Sequence, residues 1–596
     1  VAALLSERRV IVSTHTKTLQ DQLVDKDLRL LERIATELGV DLRRAEPEDR
    51  AGPAGPVAYA LMKGRSNYLC LDRLARRGRQ RAFGFEGTDP YAAIEAWSEL
   101  TQRGDRAELS ELSESDPRWA EVDARSETCS GTRCPRYEEC FVVRMRREAQ
   151  AARLVVVNHH LLLSDLALKA RAEMSGVGRG QFEVVPEADA LIVDEAHGLE
   201  SVASEYFGGS VSKRMLERWS KDVAQHLGDA PDAPSDVALQ LTQAALAVET
   251  VFDALPRAEG RTRVGPEADA LEGARRARGA AVEALEAFAE RLEGLPSDEP
   301  GAASLARRAR DMGQSISFVL DAEDSDFVYW SERQGRASTL GASPIEVSSL
   351  LRTHLFERFF TVGLCSATLA AGREDLGFFL SSTGAPEDTR AFVLDSPFDY
   401  RSQAALYLPK DAVEPSAPEA QTHFVQEARA LIELVGGGAL LLFTSHRAMR
   451  TAYDRLKDQV DRPCFVQGER PKRELLRAFV ERAPAVLCAT ASFWEGVDIP
   501  GAALQLVVMD RLPFESPADP LVAARSERLE RAGGRPFQEL HLPRAILRFK
   551  QGFGRLIRSP TDRGVVALMD GRVRRRGYGR RFLDALPPVA RFTHRD

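Results

Sequence analysis

Short apolar runs recur along the chain, and each closes in polar or hydroxyl-bearing residues. Val10-Ile11-Val12 ends in Ser13-Thr14-His15-Thr16, Leu154-Val155-Val156-Val157 in Asn158-His159-His160, and Leu191-Ile192-Val193 in Asp194-Glu195-Ala196-His197. Later, Thr361-Val362-Gly363-Leu364-Cys365 ends in Ser366-Ala367-Thr368, and Gly438-Ala439-Leu440-Leu441-Leu442-Phe443 in Thr444-Ser445-His446-Arg447. Ala485–Cys488 leads to Phe493-Trp494-Glu495-Gly496-Val497-Asp498, and Leu504–Met509 adds one more run. Runs of this length read as strands buried on both faces, the signature of parallel α/β sheets. Such sheets take their ligands at the carboxyl ends of the strands, where these polar residues fall.

Two stretches interrupt the pattern. From about Pro53 to Glu148 the text turns polar and rich in Gly and Arg. From Gly198 to Ser325 it is rich in Ala, Leu, Glu and Arg at helical spacing, with Ala268–Leu295 reading as a long amphipathic helix in a packed bundle. Strands resume near Phe327-Val328-Tyr329-Trp330. At 596 residues the chain exceeds what one core can serve.

Composition changes this picture little. The 44% hydrophobic and 29% charged content is that of an ordinary globular protein, and the formal net charge of -8 gives no hint of nucleic acid. Local clusters do: Arg73, Arg76, Arg77, Arg79 and Arg81; Arg144, Arg146, Arg147 and Arg153; and Arg572, Arg574, Arg575, Arg576, Arg580 and Arg581. Each is a candidate phosphate track, although a solvated helix face is the commoner explanation. No apolar stretch is long enough to cross a bilayer and no signal-peptide pattern opens the chain, so a cytoplasmic location is expected.

The candidate chemistry lies at the strand ends. Asp194 can hold Mg²⁺ through its water shell, and Glu195 can orient and deprotonate a water attacking a γ-phosphate. Thr14, Thr16 and Thr18 suit a nucleic-acid backbone or a helix cap equally. Arg555 and Arg558 lie three apart and would share a face if their segment is helical, reaching a γ-phosphate. No G-x-x-x-x-G-K-[ST] phosphate loop occurs. Seven cysteines argue against a disulfide scaffold. Cys70, Cys129, Cys134 and Cys140 nevertheless cluster, and four thiolates close a zinc site or bind an iron–sulfur cluster; their spacing does not choose between the two.

In order, THTKTLQDQL, DEAH, SAT, LFTSHR, FWEGVDIPG and QGFGRLIRS resemble superfamily 2 helicases of the DinG/XPD-like group. GRSNYLC with the later cysteines is most similar to the iron–sulfur insert of bacterial DinG. The resemblance implies an α/β protein with two RecA-like motor domains, the first carrying an iron–sulfur insert and a helical arch. On these positions the first motor domain takes 1–52, 149–198 and 326–369, the cluster insert 53–148, the arch 199–325 and the second motor domain 370–596. It implies ATP-driven, 5′-to-3′ DNA unwinding in repair or replication, with ATP, Mg²⁺ and a [4Fe–4S] cluster as cofactors. The expected partners are single-stranded DNA and forked or structured duplex, met by a monomer with no membrane.

The same resemblance assigns Asp194, Glu195 and His197 to the metal and the attacking water. Gln551, Gly554, Arg555 and Arg558 go to the far side of the nucleotide, and Asp498 links ATP to DNA movement. Cys70, Cys129, Cys134 and Cys140 go to the cluster, and Thr14, Thr16, Ser445 and Arg447 to single-stranded DNA. In the family a phosphate loop precedes the THTKTLQDQL region. The expectation is that this polypeptide, taken literally, hydrolyses ATP poorly, and the alternative is an ATPase-deficient motor remnant that grips single-stranded DNA.

Overall fold

Strands made of Val, Ile and Leu become parallel here because helices cover the sheet faces and the main-chain groups of the inner strands find ladder partners on both sides. The computed structural model describes residues 8–37, 39–49, 57–81, 91–109, 112, 116–126, 129–174, 184–228, 235–265, 269–295, 300–490, 493, 499 and 501–594. The chain divides into two units, Val1–Cys365 with Ser516–Glu527 and Ser366–Glu515 with Arg528–Asp596.

The first unit opens with β1 (Val10–Thr14), β2 (Leu42–Arg44), β3 (Val57–Leu61), β4 (Leu154–Asn158) and β5 (Ala190–Asp194). Next come β6 (Gly209–Ser212), β7 (Gly260–Val264), β8 (Phe327–Gln334) and β9 (Ala337–Pro344), and finally β10 (Thr361–Cys365). Six of these form one parallel sheet in the order β10-β5-β1-β4-β3-β2. Every residue of β3 and β4 is buried. The β5–β10 end is more open: Ile192 is 38% exposed, and β10 shows exposed residues at every second position. The stretch from Pro53, expected to leave the strand pattern, instead contributes β3 to this sheet. Its Val-Ala-Tyr-Ala-Leu text is apolar but short, and the polar, Gly- and Arg-rich residues around it mask it.

The strands β6 to β9 make a separate antiparallel sheet, ordered β6-β9-β8-β7. Strands near Phe327 therefore pair with strands of the helical segment rather than with the parallel sheet. Four long helices, Lys213–Gly228, Ser235–Asp253, Glu272–Glu293 and Pro300–Asp321, share a core with this sheet. Trp219 is its anchor: the ring meets Phe288 edge-on at 5.5 Å and Nε1–H donates to the Leu305 carbonyl at 3.0 Å. A Trp buried this deeply needs that acceptor.

The second unit holds β11 (Ala404–Tyr407), β12 (Ala439–Phe443), β13 (Cys464–Val466), β14 (Val486–Thr490), β15 (Leu506–Met509), β16 (Gly564–Leu568) and β17 (Ala590–Phe592). They form a parallel sheet ordered β13-β14-β12-β15-β16-β11-β17. Side-chain alternation splits β12 between two cores. Leu440 and Leu442 pack with Phe549 and Phe582, while Leu441 and Phe443 pack with Ile432 and Val508.

The arginine runs are largely spent on local partners. Arg73 pairs with Asp123, Arg76 with Asp72 and Arg77 with Glu121. Arg144 pairs with Glu148 and Arg147 with Glu138. In the last run Arg572 holds the fully buried Asp570, Arg575 donates to the Ala412 carbonyl and Arg576 pairs with Glu414. As free phosphate tracks these runs are weaker than their sequence suggests. No described helix is long and apolar enough to cross a membrane.

Candidate active site at the carboxyl ends of the strands

Parallel pairing sets β1, β5 and β10 side by side, with Ser13 opposite Val193 and Cys365 opposite Asp194. The chain leaves β5 abruptly. Glu195 has φ 53° and ψ 46°, a left-handed backbone for a residue with a side chain, and a short 3₁₀ turn over Ala196–Gly198 leads into the helix Leu199–Tyr206. That conformation costs on the order of 1 kcal/mol and persists only where neighbours enforce it.

Both carboxylates are half-buried. The Cys365 thiol lies 3.6 Å from Asp194 Oδ1 and 3.6 Å from the Val193 carbonyl. Burial, then the adjacent Glu195, raises the Asp194 pKa above the ordinary carboxylate range. Burial beside Asp194 pushes the Cys365 thiol up to about 11, so it is a neutral S–H donor. Raised acids of this kind attract a cation, which relieves their repulsion. Glu195 Oε2 lies 3.2 Å from His197 Nδ1.

Two further imidazoles complete the cluster. His159, fully buried, sits with Nδ1 2.7 Å from Ser13 Oγ and Nε2 3.4 Å from the Glu195 carbonyl. A carbonyl only accepts, so Nε2 carries the proton and Nδ1 accepts from the Ser13 hydroxyl. Burial, reinforced by His15, pulls the His159 pKa down to about 3, which keeps this ring neutral. His15 stacks on His159 at 5.6 Å and meets His197 edge-on at 5.5 Å.

The threonines predicted for nucleic acid have structural duties as well. Thr14 is 1% exposed and its hydroxyl donates to the Thr16 carbonyl at 3.3 Å; Thr16 Oγ1 caps the helix Lys17–Gln22 by accepting from Leu19 N–H at 3.3 Å. That helix is tied to the GRSNYLC segment: Lys17 Nζ donates to Asn67 Oδ1 at 2.7 Å and Gln20 Nε2 to the Met62 carbonyl at 3.0 Å. Buried Lys63 bridges Asp21 at 2.6 Å and Asp105 at 2.8 Å.

In the second unit Ser445 caps the helix His446–Leu456 by accepting from Ala448 N–H at 3.2 Å, and both Ser445 and Arg447 are exposed. Gln551 lies in the helix Leu542–Phe553, 6% exposed, with its Oε1 buried. Gly554 caps that helix, so Arg555 and Arg558 follow it in turn and loop and do not share a helix face. Asp562 organises their loop, accepting from the Arg558 and Ser559 amides at 2.8 and 2.9 Å. The same carboxylate lies against Gly501, where any side chain would overlap it, so Gly501 packs on the loop that carries Arg558 and Ser559. Asp498 lies outside the described residues. Sequence reading missed Asp562, Cys365, His15 and His159 as site residues. Only their positions beside motif residues could have flagged them.

Cys129, Cys134 and Cys140 sit on successive turns, and all four cysteines of the insert are free thiols. Gly131 N–H points at Cys129 Sγ at 3.4 Å, and the Cys134 thiol feels both Cys129 and Cys140. Cys70 is deeper, its thiol pushed up to about 11 by burial. The donor chemistry fits a tetrathiolate group. Among the described residues, however, no three His, Cys, Asp or Glu side chains converge closely enough to hold a single metal ion.

Residues 428–589 match the helicase C-terminal domain family. The chain is 34% identical over 594 residues to the ATP-dependent DNA helicase YoaA of Escherichia coli K12, spanning 99% of this chain and 88% of that protein. It is 32% identical over 624 residues to the ATP-dependent helicase DinG of Mycobacterium tuberculosis H37Rv, spanning 100% and 88%. Its fold resembles that of an XPD helicase, with a TM-score of 0.54 at 14% identity, covering 99% of this chain and 97% of the other. Two parallel α/β sheets with polar carboxyl ends, joined to identity of this extent, lead to one conclusion: the chain is an ATP-hydrolysing helicase of the DinG/YoaA family.

Proposed function

We propose that the protein unwinds DNA in the 5′-to-3′ direction at the expense of ATP, acting on forked or structured duplexes. The observation that carries this reading is the Asp194–Glu195 pair of partly buried acids at the end of β5, where Asp194 closes the strand and left-handed Glu195 turns away from it. Asp194 would hold Mg²⁺ through its waters, and the ion would neutralise phosphate charge. Glu195 accepts the proton of the attacking water, and His197 fixes the orientation of that carboxylate. Gln551, Gly554, Arg555 and Arg558 stabilise the transferring phosphoryl group, and Asp498 relays the nucleotide state. Exposed Ser445 and Arg447, with Thr16 at the turn after β1, follow the backbone of single-stranded DNA, while buried Thr14 shapes that turn from beneath.

The residues 53–148 and 199–325 serve as a cluster insert and a helical arch that meet the duplex. Cys70, Cys129, Cys134 and Cys140 would hold a [4Fe–4S] cluster, which when bound supplies a rigid cross-link of an otherwise loop-rich segment. Iron and sulfide analysis with visible absorption tests this; one zinc and no iron argues against it. Cys134→Ser should lose the absorption and the unwinding while both units stay folded, and retained unwinding without the cluster would remove the insert from the mechanism.

The direct test of the motor reading is Glu195→Gln in the full-length protein. ATP binding should persist while turnover falls by about 10²–10⁴-fold, because a carboxamide cannot take the proton. Hydrolysis at the unaltered rate would take Glu195 out of this role.

A further inference from the structure

Three side chains that the proposed reaction does not use, Ser13, His15 and His159, come from two separated segments of the first unit and converge on the Glu195 turn. Ser13 Oγ holds His159 at Nδ1, and His159 Nε2 reaches the carbonyl of Glu195, the residue in the left-handed conformation. His15 stacks on His159, meets His197 edge-on and lies on Gly198. A Cβ at Gly198 would stand 2.8 Å from His15 Nε2 and 2.9 Å from Cδ2, so the ring occupies the space a side chain would take. His15 is also flanked by Thr14 and Thr16, at the turn where β1 passes into the helix Lys17–Gln22.

We propose that His15 and His159 are positioning residues that couple occupancy of the Thr14–Thr16 turn by single-stranded DNA to the orientation of the Glu195 peptide and carboxylate. His159 acts through its Nε2–H on the main chain, holding the strained turn. His15 acts through packing, transmitting a shift of the turn to His197 and Gly198. Stacked rings on a close-packed floor move together, because an interior at crystal-like density has no slack to absorb a displacement. This deepens the motor reading and rests on it.

The test is ATP hydrolysis by the full-length protein with and without oligothymidylate, with thermal unfolding as a check on folding. Gln places an N–H where imidazole Nε2 lies, whereas Asn mimics only the Nδ1 side. His159→Gln should therefore keep most of the stimulation by DNA, and His159→Asn should lose about tenfold in stimulated kcat with KM for ATP little changed. His15→Ala and Gly198→Ala should each reduce the stimulation ratio, and the double variant should be no worse than His15→Ala alone, since both act on one contact. Equal losses in the Gln and Asn variants, or additive losses in the double, would overturn the inference, as would undiminished stimulation in all of them. An unaltered protein that hydrolyses ATP but is not stimulated overturns the coupling together with the DNA path. One that does not hydrolyse ATP at all sinks the motor reading itself.

Discussion

Asp194 and Asp510 occupy equivalent places in the two units: each stands at the carboxyl end of a strand within a parallel sheet, on β5 and just past β15. Their fates differ. Asp510 accepts from Thr444 N–H at 3.2 Å and Arg511 Nε at 3.0 Å, and its side chain is 6% exposed. Asp570, just past β16, is likewise fully buried against Arg572 and accepts from Leu512 N–H at 2.9 Å. Asp194 has a weak thiol donor, an acidic neighbour and an open sheet end beside it. A carboxylate at a strand end is thus a candidate site only while no arginine already holds it, as Arg511 holds Asp510 and Arg572 holds Asp570. The second unit spends such acids on its own cohesion, and the first keeps one pair for a ligand.

The sharpest way to break this comparison is to neutralise the open acid. Asp194→Asn should lower ATP turnover by at least about 10²-fold with little change in thermal unfolding, since burial and the adjacent Glu195 outweigh what the Cys365 thiol, the Glu195 amide and His197 return to the charged acid. A large fall in the unfolding temperature with intact turnover would reverse the assignment. Arg572→Ala should do the opposite and destabilise the second unit by about 3 kcal/mol, because it leaves the buried Asp570 charge unpaired; denaturant unfolding measures it.

Asp510 offers a pH signature. Burial, opposed by Arg511, raises its pKa from 3.8 to about 6. Between those values the folded state binds more protons than the unfolded one, so this group's contribution favours folding below about pH 4 and is lost as pH rises through about 6. Asp510→Asn should flatten the stability profile in that window, and an unchanged slope would show that other groups set it. The smallest effect belongs to Arg580→Ala. Its partner Asp584 lies one helical turn on, both are well exposed, and the change should stay within about 0.5 kcal/mol.

How much of this was legible in the sequence depended on how local the signal was. The runs at Val10, Leu154, Ala439 and Val486 became strands largely buried on both faces, as read, because such residues must be apolar throughout; those at Leu191 and Thr361 also became strands but keep exposed residues, at Ile192 and at alternate positions of β10. β3 escaped notice because it is a short run set in polar, Gly- and Arg-rich text, and β6 and β7 because strands such as Gly209–Ser212 are rich in small polar residues. The arginine runs misled for another reason: their partners lie outside the runs, some one helical turn away, as with Arg76 and Asp72, and others remote, as with Arg576 and Glu414. Arg555 and Arg558 had the spacing of a helix face, but Gly554 ends the helix before them.

From residue order alone came the motor class, the acids that close β5, and the cysteine set, since each is written in contiguous text whose chemistry needs no partner to be recognised. Tertiary packing alone decided which acids remained available, which arginines were neutralised, and that His15, His159 and His197 meet around one strained peptide. The histidine cluster depends on residues as far apart as His15 and His159, and parallel pairing of β1, β4 and β5 is what makes such residues neighbours.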